Sequence, residues 1–419
     1  METTEKSSTA SKLSSKDRLR SVVLPPNEQP ERVERTVDVK KLNRHASKKL
    51  LDRVLDHHDA HDDQSLLLDK VRERMEAAGL SPPCVEVRYE NLSVEVNTVV
   101  AARHIPNILR PLGGNGEKSR KTRIALLAPC SGLLQPGRIA LVLGPPGSGR
   151  TTFLRALSGR AQVQSDLAVT GSVQYNGHNF DQFQPAHAAA YVSQADMHYG
   201  ELTVRETMDF AAQCFGAKPL RDLLEILLEK EEALGITPDP AVDAFMKASA
   251  WGGSNTVDVE RTIKLLGLEK CSDTVVGNAM LRGINSRTTF DVVKYLLGWV
   301  RALNGTAALA LLQPTPETFE LFDDVILLSA GVVVYSGPRE DVLPFFSSLG
   351  FECPARCGIA EFLQEVSTAT DQSKYWSYPG GREYQYVTAS AMAQAFSETQ
   401  ASKKHCLCAE NALSTTFRR

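Results

Sequence analysis

The residues best placed to do chemistry in this chain are Gly144-Pro145-Pro146-Gly147-Ser148-Gly149-Arg150-Thr151. Their spacing is that of a phosphate-binding loop, G-x-x-x-x-G-K-[ST], with arginine in the lysine position. Glycines at these places let the backbone turn tightly, so that successive N–H groups converge on phosphate oxygens. A helix starting at the loop adds roughly half a positive charge at its N-terminus. The Thr151 hydroxyl offers a ligand to Mg2+. Arg150 alters this chemistry, because an ammonium is a compact point charge whereas a guanidinium is longer, planar and forked. A lost or misplaced charge-assisted phosphate contact costs about 1.5–3 kcal/mol, or roughly 10–100-fold in affinity. Phosphate binding is therefore expected to be weakened, not excluded.

The surrounding elements suit such a loop. Residues 139–143 form an unbroken apolar run, the pattern of a strand buried on both faces in a parallel sheet, and residues 151–160 read as the helix that follows. Residues 85–89 and 92–96 alternate strictly, as half-buried antiparallel strands do. Further strands are expected at 124–127, 172–175, 189–193, 307–312, 324–328 and 332–335, and helices at 203–215, 220–234, 257–266 and 288–303. Strand and helix alternation of this kind defines an α/β class with a parallel-sheet core. Ahead of it, from residue 37 to about residue 80, apolar residues such as Leu50, Leu51, Val54, Leu66, Val71 and Met75 recur at helical spacing. Residues 1–36 are polar, carry Pro25 and Pro26, and read as a disordered tail.

The bulk properties bound the partners. Apolar residues make up 42% and charged residues 23%, values of a soluble globular protein. A net charge of −3 gives no electrostatic case for nucleic acid. The most apolar window, residues 292–312, is interrupted by Lys294, Arg301, Asn304 and Gly305, so no transmembrane helix is expected. The eight cysteines are scattered, which favours a reducing compartment. Two close pairs, Cys353/Cys357 and Cys406/Cys408, lack companions at zinc spacing and read as ordinary thiols.

In order along the chain, the motifs resemble the first nucleotide-binding domain of a G-family ABC transporter, in the full-size pleiotropic-drug-resistance branch. Gly144, Pro145, Pro146, Gly147, Ser148, Gly149, Arg150, Thr151 and Thr152 match its Walker A loop apart from Arg150. Residues 190–196 (AYVSQAD) resemble its Q-loop, and residues 202–207 (LTVRET) the run after it. Residues 305–319 resemble the switch region, with Gln313 at the place of the usual histidine; residues 320–325, 334–338 and 359–366 follow in family order. The resemblance extends back through residues 37–89. It implies a P-loop NTPase-type (ABC ATPase) parallel-sheet core, an antiparallel β subdomain and a helical N-terminal extension. It also implies ATP and Mg2+ as ligands: residues 144–152, Gln194 and Gln313 would bind ATP, and Thr151 and Gln194 would meet Mg2+. Tyr89 is the aromatic that could stack on adenine, although a surface or core role is the commoner one for such a residue. The resemblance further implies a place on the cytoplasmic side of a membrane, usually the plasma membrane, for a chain that is itself soluble and cytoplasmic. The implied partners are transmembrane domains and a second nucleotide-binding domain, neither of which is found in this chain. The expected division is 1–36 tail, 37–83 helical extension, 84–395 nucleotide-binding domain and 396–419 unstructured tail.

One departure governs function. Met280-Leu281-Arg282-Gly283-Ile284 runs directly into Asn285-Ser286-Arg287-Thr288, which resembles family sequence from beyond the D-loop. A few tens of residues are missing at 284/285, comprising the signature loop, the Walker B strand with its carboxylates, and the D-loop. Asp323-Asp324 does not replace them, because it precedes its apolar strand instead of ending one. No residue is assigned a catalytic role, since positioning and charge stabilisation supply nearly all phosphoryl-transfer catalysis. The missing strand is expected beside the phosphate-loop strand, where its loss would leave buried backbone groups without partners unless neighbouring strands close the gap. A spliced-out exon or mis-joined gene explains the departure more simply than selection. The alternatives to an impaired transporter ATPase domain are a non-hydrolysing nucleotide-binding or regulatory protein, and a non-functional fragment.

Overall fold

The computed structural model describes residues 21–24, 35–38, 62–81, 84–100, 120–161, 167–194, 198–216, 218–251, 257–277, 289–377 and 383–399. Ten strands are described: β1 (Ser21–Leu24), β2 (Arg35–Asp38), β3 (Val87–Val100), β4 (Arg120–Leu134), β5 (Ile139–Leu143), β6 (Leu167–Tyr175), β7 (His178–Asn179), β8 (Ala307–Ala310), β9 (Asp324–Ser329) and β10 (Val332–Pro338). The chain divides into two compact units, Met1–Pro83 with Ala195–Leu303, and Cys84–Gln194 with Asn304–Arg419.

The second of these units holds two four-stranded sheets. One is antiparallel, in the order β4-β3-β6-β7. Its spine, β3, is one strand where the alternation predicted two, at 85–89 and 92–96. The register slips between Tyr89 and Leu92, and Asn91 there takes φ 49°, a left-handed conformation that asparagine tolerates. The slip keeps Tyr89, Leu92 and Val94 all facing the core.

The other sheet runs β10-β9-β5-β8, with β5 parallel to both β8 and β9. All five residues of the apolar β5 and all six of β9, whose centre at residues 325–328 is apolar, are buried, as strands between covering layers are. β9 turns into β10 through Ala330 (φ 48°) and Gly331 (φ 78°), a two-residue hairpin loop with both residues left-handed. Leu127, Val142, Phe153 and Leu328 tie the two sheets and the helix Arg150–Leu157 into one core.

One alternative left open by the sequence is resolved here, and one expectation is corrected. No gap opens beside the phosphate-loop strand: Ile139 to Val142 pair with Ala307 to Ala310, and Ala140 to Leu143 with Asp324 to Leu327. Its backbone groups are satisfied on both sides, and among the described residues the sheet ends at the half-exposed β8. The strand expected at 189–193 is also absent. Residues 190–193 are irregular and Val192 is 90% exposed, because no neighbouring strand supplies the ladder that would make them a strand.

The other unit is largely helical, with helices Asp62–Ala77, Val204–Phe215, Lys218–Leu234, Pro240–Trp251, Val257–Leu265 and Thr289–Ala302, and the β1–β2 pair. β1 lies in the expected tail 1–36, and β2 crosses from it into the expected helical extension, of which residues 39–61 lie outside the described residues; Val22, Val23 and Val37 are β-branched residues that favour strands. Helix Pro240–Trp251 has no counterpart among the sequence expectations. Every residue from Val242 to Trp251 except Asp243 is buried, so the apolar stripe that marks a surface helix is missing. Helix Asp62–Ala77 joins this core through Leu67, Val71 and Met75. Its buried Arg74 donates to Glu231 at 2.7 and 2.9 Å and to Asp243 at 3.0 Å.

Helix Val204–Phe215 begins in a reciprocal capping box. The Thr203 hydroxyl accepts from the Glu206 N–H at 3.2 Å, and the Glu206 carboxylate accepts from the Thr203 N–H at 2.9 Å. The bonds that its carboxylate accepts from the Thr203 N–H and hydroxyl draw the Glu206 pKa below its ordinary value. Thr203→Ala is expected to cost about 1 kcal/mol in urea denaturation, with the slope of the transition unchanged.

Candidate functional site

Strand β5 delivers the chain into Gly144, where the backbone leaves the sheet. Gly144 has φ 152°, Gly147 80° and Gly149 96°. At Gly144 a Cβ would lie 2.2 Å from the Leu328 carbonyl oxygen and 2.5 Å from Ser148 Oγ, so only glycine fits. The loop is closed by the Ser148 N–H, which donates to the Pro145 carbonyl at 3.1 Å, and is pinned to the β9–β10 hairpin by the Gly331 N–H donating to Ser148 at 3.1 Å. Helix Arg150–Leu157 starts at once, with the Phe153 N–H donating to Gly149 at 2.9 Å. Its first N–H groups have no partner inside the helix, and no acidic residue sits in its first turn. Ser148 Oγ is buried without a hydrogen-bond partner. An orphaned buried hydroxyl inside a glycine-shaped turn at a helix N-terminus fits an oxygen-rich anion such as a phosphate.

The other residues singled out from the sequence fall around this loop. Pro145 and Thr152 are half-buried, and Pro146 and Thr151 are exposed. Arg150 does not fold back over the loop: its Nη1 donates to the Leu311 carbonyl at 2.8 Å, just beyond the end of β8. Burial there lowers its pKa, although a guanidinium stays cationic at neutral pH. Gln313 is exposed, two residues past that carbonyl. Gln194 is exposed at the end of the irregular stretch 190–193, and among the described residues no hydrogen bond joins it to the loop.

Tyr89 is a core residue. It is 1% exposed and packs edge-to-face on Phe153 at 5.5 Å, with its pKa pushed up by burial. No face is left for a base to stack on. Tyr89→Phe is therefore expected to leave affinity for an adenine nucleotide unchanged within about twofold in a fluorescence titration, well under the tenfold that 1.4 kcal/mol represents.

Asp323 and Asp324 clamp the opposite end of β5. Arg138 grips Asp324 through two bonds, of 2.8 and 2.6 Å, and the Asp323 carboxylate accepts from the Ile139 N–H at 3.0 Å. That is a strand length, about 13 Å, from the loop, so neither acid reaches a metal there. The junction at 284/285 lies outside the described residues.

Sequence reasoning overlooked three contributors. Leu311 holds Arg150 through its carbonyl, and backbone oxygens leave no trace in residue type. Gln364 Nε2 donates to the Leu312 carbonyl at 2.6 Å, a contact between residues far apart in the chain. Gly331 supports the loop from the hairpin, and the Ala330-Gly331 pair between two apolar runs was its available signal.

A phosphate loop between a doubly buried parallel strand and a helix defines a P-loop ATPase-type fold. Residues 127–286 match the ABC transporter family, so the α/β fold is that of an ABC-type ATP-binding domain. Residues 312–372 match the ABC-2 type transporter family. This second match covers β9, β10 and the helices Val342–Ser348 and Ile359–Val366, and among the described residues no helix is long and apolar enough to cross a membrane. The chain is 43% identical over 425 residues to ABC transporter G family member 53 of Oryza sativa subsp. japonica, covering 92% of this chain and 29% of that protein. It is 43% identical to member 37 over 400 residues (86% and 27%), and 42% identical to member 34 over 436 residues (92% and 29%), both from the same plant. The chain is similar to these G-family ABC transporters along most of its own length and spans less than a third of theirs.

Proposed function

We propose that this chain is the first nucleotide-binding domain, residues 84–395, of a transporter of the full-size pleiotropic-drug-resistance type, with residues 37–83 as its N-terminal extension. It binds ATP with Mg2+ through residues 144–152 and hydrolyses it poorly or not at all. The observation that carries this reading is the loop: three glycines at positive φ, the orphaned Ser148 hydroxyl and the open helix N-terminus form one anion cradle. In the cradle the loop N–H groups and Ser148 would orient the phosphates, and Thr151 and Gln194 would supply oxygens to the metal. Gln313 would sense the terminal phosphate. Bound Mg2+ contributes charge neutralisation across the phosphates. The chain works at the cytoplasmic face of a membrane, with transmembrane domains and a second nucleotide-binding domain as partners. Impaired turnover follows from the residues missing at 284/285, which leave no carboxylate to polarise water.

The test is titration of the purified chain with a fluorescent ATP analogue, with and without Mg2+, alongside a phosphate-release assay. Binding that needs Mg2+ without phosphate release is the expected result. Steady release would overturn the impairment, and absence of binding would overturn the cradle. The Arg150 bond to Leu311 favours a second reading, a non-hydrolysing regulatory protein that holds nucleotide weakly. It differs from the first in binding an intact transporter partner without restoring phosphate release.

A further inference from the structure

Cys353 and Cys357 bracket a turn closed by the Cys357 N–H, which donates to the Pro354 carbonyl at 2.9 Å. Both ends of the segment are held. Ahead of it, Phe351 forms an antiparallel bridge with Trp376, and the Glu352 N–H donates to Tyr375 at 3.0 Å. Behind it, helix Ile359–Val366 starts after Gly358. The Cys353 sulfur lies 3.8 Å from the Cys357 carbonyl oxygen, so the two residues are neighbours across the turn. The Cys357 sulfur lies 3.7 Å from the Tyr375 hydroxyl and 3.9 Å from Glu361 Oε2. Tyr375 spends its own proton on Glu365 at 2.7 Å, so the Cys357 thiol is the donor to the phenol oxygen. A groove of about 210 Å³, lined by Cys353, Pro354, Lys374, Tyr375 and Trp376, opens on the first sulfur. Both thiols are free and half-buried. Among the described residues no group of three or more metal-ligating side chains occurs.

We propose that Cys353 and Cys357 form a reversible intramolecular disulfide, with a small disulfide of the glutathione class as oxidant. One cysteine thiolate attacks the oxidant's S–S bond and releases one glutathione thiolate, leaving a mixed disulfide. The second cysteine sulfur then displaces the remaining glutathione. The protein loses two protons and two electrons, and one glutathione disulfide becomes two glutathione thiols. Burial and the neighbouring Cys357 raise the Cys353 pKa, consistent with two thiols in contact, so exchange quickens as pH rises toward that pKa. In a reducing compartment such a pair is a transient sensor, not a structural staple. Its effect falls on helix Ile359–Val366, whose Gln364 holds the Leu312 carbonyl next to Gln313.

The chain itself provides the assay. Arg356 lies between the two cysteines, so trypsin cuts inside the loop, and the bond links the peptide ending at Arg356 to the one beginning at Cys357. The full chain is equilibrated in glutathione redox buffers, free thiols are alkylated, and the unreduced digest is read by mass spectrometry. The linked pair is expected to dominate at oxidising ratios and to vanish on return to reduced glutathione. In Cys357→Ser it should be replaced by a glutathione adduct on Cys353. The proposal is overturned if both residues stay alkylated at ratios that modify the exposed Cys84 and Cys214, or if Cys353 links to another cysteine instead. The wild-type digest decides the matter even if the variant misfolds.

Discussion

Gly144→Ala is expected to abolish binding of an ATP analogue, with a loss of roughly 100-fold or more, and to destabilise its unit by about 2–5 kcal/mol. Two effects add. The residue sits at φ 152°, which L side chains rarely adopt, and its Cβ would stand 2.2 Å from a backbone carbonyl in the buried strand β9. Neither the strand nor Ser148 has room to yield, because β9 is packed on both sides. The loop must therefore move, and the converging N–H groups move with it. Gly177→Ala provides the comparison: φ is 79° there, but nothing lies within 4 Å of the new Cβ. It should cost about 1 kcal/mol and leave binding intact. Titration and urea denaturation of the two variants separate a shaped cradle from a merely flexible turn. Equal affinity in both would refute the assignment of the loop.

Arg150→Lys is expected to tighten the same analogue roughly 10–100-fold, the size of one recovered charge-assisted contact. In the structure the guanidinium is committed to the Leu311 carbonyl, so it must break a hydrogen bond before meeting phosphate. Lysine is a compact ammonium with three donors on a flexible stem, suited to folding back over the loop. Release of Leu311 should also loosen residues 311–313, seen as faster amide exchange in the variant without nucleotide. Phosphate release should stay absent, because the substitution supplies no carboxylate. Unchanged or weaker binding would show that Arg150 already reaches the phosphates as well as lysine does.

Legibility from sequence differed sharply between parts. Residues 139–143 announced a doubly buried strand because burial on two faces demands apolar residues at every position, and β5 has those bounds. Residues 189–193 also read as a strand and formed none, since a strand exists only where a neighbour completes its ladder. Helix Pro240–Trp251 escaped notice for the opposite reason: buried on nearly all sides, it shows no amphipathic period. Tyr89 had an adenine-facing alternative until the Phe153 contact placed it in the core.

For this chain, local composition determined the α/β class, the position of the phosphate loop between an apolar strand and a helix, and the substitution of arginine at its key cation. Those are properties of short windows, where periodicity and glycine spacing act through nearest neighbours. The tertiary structure alone decided that β8 and β9 flank β5 and leave no gap beside it, that Arg150 is held by a distant carbonyl, and that Cys353 and Cys357 meet in a pinned turn. Strand order and the direction of a long side chain depend on contacts between segments remote in sequence, which no single window encodes.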